Sequence, residues 1–390
     1  MNVLEKSLHQ LGCEVTLLAM NTTKHYFDIT KLPNNFNHYA AIHTVLIDNR
    51  VKPQAAFLNL FSDKSYHISR FESFAFRNQL IQLLQSQQFD LIQLESPYLA
   101  PYIPVIRQYS KAKIAMRAHN VEHEIWQRVA HNTRFLPKKW YLKHLTKKLQ
   151  RYEIEQLKNY DLLVPITQRD LDIFRFFGYK NAAVVASVGV NGVDYNPNFS
   201  SFNKPLSLGF IGSLDWMPNQ EGLRWFLDEV WHKLQQQFPQ LTFHIAGRNA
   251  PAWLQRLNFS NVIFHGEVAD ATAFINQHPV IVVPLFSGSG MRVKILESMA
   301  LGRIVVTTSM GLEGIDACHR CEALVADTVE SFIEAIALCQ QDATFAAQIS
   351  KRARNFVLQQ YDNREIAQQL LQAYAQLLPA KQVALTLLEV

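Results

Sequence analysis

A chain of 390 residues with 48% hydrophobic side chains is long enough for two ordinary domains, each with its own core, and is neither disordered nor fibrous. No apolar run approaches the ~20 residues that span a bilayer and no basic-then-apolar start marks a signal peptide, so the sequence reads as cytoplasmic. The formal charge of +5 is uneven, with 24 Lys and Arg against 16 Asp and Glu in residues 1–200, and 14 against 17 in residues 201–390.

In chain order, strand patterns fall at Val15 to Ala19, Ala41 to Ile47, Asp90 to Leu94, Lys113 to Arg117, Leu162 to Ile166 and Ala183 to Ala186. Helical patterns lie between them, notably Ser69 to Gln87, Leu99 to Tyr109 and Arg169 to Phe177. The second half repeats the scheme with Leu206 to Ile211, Leu241 to Ala246, Val262 to His265, Val280 to Pro284, Ile304 to Thr307 and Ala323 to Val325. Such alternation argues for an α/β protein of two doubly wound parallel sheets. Turn residues Gly192, Pro197, Ser200, Ser201 and Pro205 mark a boundary, giving an N-terminal domain over 1–190, a linker over 191–205 and a second domain over 206–362. Residues 363–390 read as a C-terminal helix that packs back on the first domain. Ligands of doubly wound sheets bind at the carboxyl ends of strands, which here implies a cleft between the two domains.

Lys139, Lys143, Lys147 and Arg151 recur every fourth residue within Lys138 to Lys158, beside an apolar stripe of Leu142, Leu145, Leu149 and Tyr152. This basic amphipathic helix suits either an anionic membrane surface or packing on its own domain, the second being the plainer reading. No nucleic-acid motif accompanies it. Cys318-His319-Arg320-Cys321 has zinc-like internal spacing, but no second pair follows. With Cys13 and Cys339, these read as reduced thiols in or near a core.

The most informative stretch is Pro284-Leu285-Phe286-Ser287-Gly288-Ser289-Gly290-Met291-Arg292-Val293-Lys294-Ile295-Leu296-Glu297. An apolar strand runs through a glycine turn into a helix. Gly288 and Gly290 let the backbone approach a ligand, the amides of the helix start point toward negative charge, and Arg292 and Lys294 add cations. Glu297, about one turn further on, is placed to accept from sugar hydroxyls. The string resembles the donor motif of the family 4 glycosyltransferases, retaining enzymes of the GT-B fold.

That resemblance implies a nucleotide diphosphate sugar as donor, a glycan or lipid-linked acceptor, and no cofactor or metal. In the family a first carboxylate stands seven residues before the second; Glu297 matches the second, and Ser289 occupies the first. Gly212 and Ser213 follow the strand Leu206 to Ile211, where a basic residue is frequent in the family, so Arg292 and Lys294 carry most of the charge. Gly247, Arg248 and Val268 fall on turns that border the nucleotide, and Met291 completes the cradle. His119, in Arg117-Ala118-His119-Asn120-Val121-Glu122, matches the family's cleft histidine near the anomeric centre, with Asn120 and Glu122 expected to hold it. Asp170-Leu171-Asp172 matches the acidic motif of metal-dependent transferases but falls in a helical pattern.

The family opens with a strand and a glycine turn, whereas this sequence begins inside the following helix, at Met1-Asn2-Val3-Leu4. The first strand, normally central, is therefore expected to be missing. Taken together, these features predict a metal-independent, hexosyltransferase-type enzyme of cell-surface polysaccharide synthesis, peripheral on the inner face of the membrane. A truncated, non-catalytic sugar-nucleotide or glycan-binding protein and a GT-B-type epimerase are the alternatives.

Overall fold

The computed structural model describes residues 2–23, 26–32, 36–288, 290–378 and 385–390. Two compact units emerge, one made of Met1–Ser187 with Ile366–Val390 and the other of Val188–Glu365.

The first unit holds strands β1 (Glu14–Thr22), β2 (Ala41–Ile47), β3 (Leu91–Leu94), β4 (Lys113–Ala118), β5 (Leu162–Pro165) and β6 (Ala182–Ala183), and also the chain's last strand, β13 (Thr386–Glu389). Their order is β2-β1-β13-β3-β4-β5-β6, with every pair parallel. β3 and β5 are buried at every position, as strands covered by helices on both faces must be. The sheet position that the resemblance gives to a first strand is thus held by β13, whose register sets Leu387 beside Val15 on one side and Leu91 on the other. Ile366, Ala367, Leu370 and Tyr374 of the helix Asn363–Leu377 are buried beneath this sheet with Leu4 and Leu8 of the helix Asn2–Gln10.

The second unit holds β7 (Ser207–Ile211), β8 (Thr242–Ala246), β9 (Val262–Gly266), β10 (Val280–Val283), β11 (Ile304–Thr307) and β12 (Leu324–Val325), ordered β12-β11-β10-β7-β8-β9 and again parallel. Chain order runs outward from β7 toward β9 on one side, and from β10 toward β12 on the other. The loops after β7 and β10 therefore leave their adjacent strands in opposite directions, opening a crevice at the sheet's carboxyl edge.

Both units expected from the alternation are doubly wound α/β sheets. The Leu142, Leu145 and Leu149 stripe of the helix Leu136–Gln156 is buried within its own unit, as the plainer reading of that helix expected. The expectation for the cysteines holds only in part. Cys13 and Cys339 are buried but Cys318 and Cys321 are exposed, because they lie on a surface turn closed by Cys321 N–H donating to Cys318 O at 3.2 Å. Asp170 and Asp172 lie in the helix Gln168–Phe176. Among the described residues, no helix is long and apolar enough to cross a membrane.

Candidate functional site

In the second unit, the crevice between the β7 and β10 loops gathers most of the residues singled out by the sequence. Gly288 has φ +111° and Gly290 φ +81°, conformations natural to glycine and strained for any other L-residue. A methyl group at Gly288 would lie 3.0 Å from the Trp216 ring and 3.1 Å from Arg292 Nη2, so the turn is also packed tightly. Ser289 lies outside the described residues. The helix Val293–Ala300 follows, with Arg292 at its N-cap position.

Arg292 is no loose surface charge. It is buried, donates to the carbonyl of Gly290, and holds its guanidinium carbon 5.6 Å from the Trp216 ring centre. Lys294 reaches across to β7 and the helix Met217–Trp225 that follows it, where its ammonium donates to Asn219 Oδ1 at 2.9 Å and lies 4.5 Å from the Phe210 ring centre. Asn219 in turn donates to the Ser213 carbonyl at 2.7 Å. Burial, with help from Arg292, pushes the Lys294 ammonium down to about 7, so its charge is held less firmly near neutral pH than the sequence alone suggests.

Glycines also set the spacing of this wall. A side-chain carbon at Gly247 would fall 1.9 Å from the Gly212 carbonyl, and one at Gly212 would fall 2.9 Å from Asn219 Nδ2 and 3.3 Å from Lys294 Nζ. The β7 and β8 loops can therefore touch only as bare backbone. Arg248 Nε donates to Ser213 Oγ at 3.4 Å, while Ser213 donates to Asp215 at 2.7 Å. Val268 packs into the core beneath the β9 end, together with Met291. Glu297 accepts from Tyr195 Oη at 3.0 Å, which fixes its carboxylate on the helix. Sequence reasoning missed Asn219 and Tyr195 as partners.

In the first unit, His119 follows β4. Its Nε2 lies 2.7 Å from Glu95 Oε2, and Glu95 sits just beyond the end of the neighbouring strand β3. The hydrogen bond that holds this ring is made with Glu95, a partner the sequence did not single out, while Glu122, whose carboxyl feels the His119 charge, accepts from Tyr98 Oη at 2.8 Å and donates its backbone N–H to Glu153 at 3.0 Å. Neighbouring parallel strands bring their ends side by side, which is why Glu95 wins. Burial pushes the Glu95 carboxyl up, but the hydrogen bond with His119, the Arg117 charge and the Gln93 amide together hold it below the ordinary value. An ionised Glu95 accepts from Nε2 and leaves Nδ1 of His119 for a ligand.

Behind this pair lies a buried carboxylate group. Glu5, Glu95 and Glu389 bring oxygens within 4.8 Å of one another, with Arg117 Nη1 3.6 Å from Glu5. Burial and the Glu95 charge push Glu5 up to about 7, and burial with Glu5 and Glu95 raises Glu389 well above the usual range, so the cluster carries less negative charge than its formula. A cavity of about 290 Å³ opens beside it, with Leu17, Met20 and Val390 among its apolar walls and Tyr39, Tyr98, Glu95 and Glu389 among its polar groups.

The family described as Glycosyl transferases group 1 matches residues 205–342. A sucrose-phosphate synthase of Thermosynechococcus elongatus is similar in structure, with a TM-score of 0.68 at 17% identity, covering 96% of this chain and 91% of its own. HepE of Anabaena in complex with UDP gives a TM-score of 0.67 at 15% identity over 93% of this chain and 100% of its own. Identities this low show the fold alone, and that fold is GT-B. In sequence, an uncharacterized 44.6 kDa protein in the cps region of Klebsiella pneumoniae is 21% identical over 301 residues, which is 74% of this chain and 75% of that protein.

Proposed function

We propose that this chain, whose residues 205–342 match the Glycosyl transferases group 1 family, is a glycosyl transferase that moves a hexose, with retention, from a nucleotide diphosphate sugar to a glycan or lipid-linked acceptor in cell-surface polysaccharide synthesis. The observation that carries this reading is the convergence of Gly212, Gly288, Arg292 and Lys294 at the switch point of the second unit's sheet. The HepE structures contain UDP and UDP-glucose, and the Klebsiella relative lies in a cps region; both favour the same chemistry here.

In this reading the diphosphate lies against the glycine turn and the start of the helix Val293–Ala300, and Lys294 takes up a proton as the anion arrives. Charge builds on the leaving diphosphate as the glycosidic bond breaks. Cations and amides already aimed at that charge lower the barrier more than they strengthen ground-state binding. Arg292 and Lys294 then do what a metal does in other transferases, so the reaction proceeds without one. Glu297, fixed by Tyr195, accepts from donor hydroxyls. His119, held by Glu95, contacts the reacting sugar. The acceptor hydroxyl attacks from the face that the diphosphate leaves, which needs no protein nucleophile.

The apolar walls and polar base of the 290 Å³ cavity suit an acceptor that is part lipid and part sugar. Work on such an acceptor places the protein peripherally on the inner membrane face, with Lys138 to Lys158 turned to anionic lipid. Thermal unfolding with a panel of nucleotides and nucleotide sugars tests the donor half, because a ligand raises stability with occupancy. A rise with UDP or another nucleoside diphosphate, together with slow donor hydrolysis, is expected. Binding without hydrolysis or transfer would identify a non-catalytic binding protein, and no shift with any nucleotide would overturn the donor site.

A further inference from the structure

Deepening the membrane-borne acceptor reading, we propose that the protein docks on anionic bilayers through the tip of the helical hairpin formed by Glu122–Asn132 and Leu136–Gln156, a surface distinct from the apolar stripe read from sequence. Between Glu124 and Glu153 the chain has eight Lys and Arg and no Asp or Glu. At 100° per residue, Leu136, Trp140, Lys143, Lys147 and Arg151 fall within about 80° of one another, opposite the buried Leu142, Leu145 and Leu149. The outward face thus starts apolar and continues basic.

At the hairpin tip, Phe135, Leu136 and Trp140 are 68%, 75% and 64% exposed, and nothing among the described residues covers them. Trp140 lies flat against His144, with ring centres 5.9 Å apart and planes 9° apart, which holds the indole outward at modest entropic cost. The short helix Pro53–Leu58 lies against the same helix, with Tyr141 Oη donating to the Ala56 carbonyl at 3.3 Å. It and the turn Asn59–Phe61 that follows add Phe57, Leu58 and Phe61, which are 61%, 68% and 80% exposed. Lys148 Nζ donates to the Asn59 carbonyl at 2.6 Å and ties this second apolar edge to the basic helix.

A protein partner would need a concave acidic surface to answer both features. A bilayer with anionic headgroups answers them without any shaped complement, because indole and leucine enter the interface while lysines reach the phosphates. The charge pattern is what commits the occupant.

Vesicle sedimentation tests this without any sugar transfer. The wild-type chain should pellet with phosphatidylcholine vesicles containing about one third phosphatidylglycerol, stay in solution with pure phosphatidylcholine, and be released by ~0.5 M salt as screening shortens. Lys143→Glu with Lys147→Glu should weaken binding at least tenfold, and Leu136→Ser with Trp140→Ser by a similar factor that added salt does not mimic. Both pairs should keep the wild-type thermal shift with UDP, which separates loss of docking from loss of the donor site. Failure of the wild type to bind phosphatidylglycerol vesicles would overturn the proposal. So would sedimentation equilibrium showing a dimer that Leu136→Ser dissociates, since the tip would then be a self-interface.

Discussion

The two units present chemistry in opposite ways. In the second unit the candidate donor wall is mainly backbone, with glycine positions where a single added carbon would collide, and cations brought in by a short helix. In the first unit the candidate site is mainly side chain, a histidine fixed by a buried carboxylate that is itself fixed by Gln93 and Arg117. The contrast teaches that a wall of bare backbone follows from well-placed glycines, whereas orienting an imidazole requires a chain of partners drawn from separate strands.

The largest expected effect breaks the cationic part of the first-named wall. Lys294→Met should lower UDP affinity ~100-fold by calorimetry, since charge-assisted contacts to a buried anion are worth about 1.5–3 kcal/mol each; a change under threefold would show that the phosphates lie elsewhere. Glu95→Gln tests the other unit. Turnover, by transfer or donor hydrolysis, should fall ~10- to 100-fold with UDP affinity within twofold of wild type, as expected when a group supporting the transition state loses its orientation. Equal loss of affinity and turnover would dissolve the distinction between the two sites.

Gly288→Ala should cost ~10-fold in UDP affinity, because φ +111° is strained for alanine and its methyl would press on Trp216 and Arg292. The smallest effect is a pH dependence. Since burial and Arg292 lower Lys294 to about 7 and a bound diphosphate favours its charged form, UDP affinity should drop several-fold from pH 7 to pH 8, a dependence that Lys294→Met abolishes. The sign for stability is the reverse. The folded lysine titrates below its unfolded value, so its destabilising effect is complete below pH 7 and is relieved as pH rises from about 7 toward 10.5.

The strand-turn-helix string from Pro284 to Glu297 was legible because every group in it is local, and strands such as β10 and β11 announced themselves by continuous β-branched runs. What sequence missed are partners brought from afar. Glu95 lies 24 residues from His119, Asn219 lies 75 from Lys294 and Tyr195 lies 102 from Glu297. No local pattern encodes such pairs. A signal for Glu95 did exist, since it follows the apolar strand β3 at the same sheet edge that drew attention to His119. β13 escaped for a different reason: four residues, Thr386–Glu389, carry too little pattern to outweigh the prior that a central strand comes early in the chain.

That last strand has a consequence for how the protein comes into being. Thr386 N–H donates to an Asp90 side chain 296 residues away, and β13 pairs with β1 and β3 in the middle of the sheet. On the ribosome, the first unit's helices and outer strands emerge early but cannot close around a finished centre. The second unit, whose residues are contiguous, can fold while its elder neighbour waits with two strand edges open. Order of synthesis and order of completion are therefore inverted, and a pause or a chaperone that shields β1 and β3 matters more to this protein than to one whose central strand is made first.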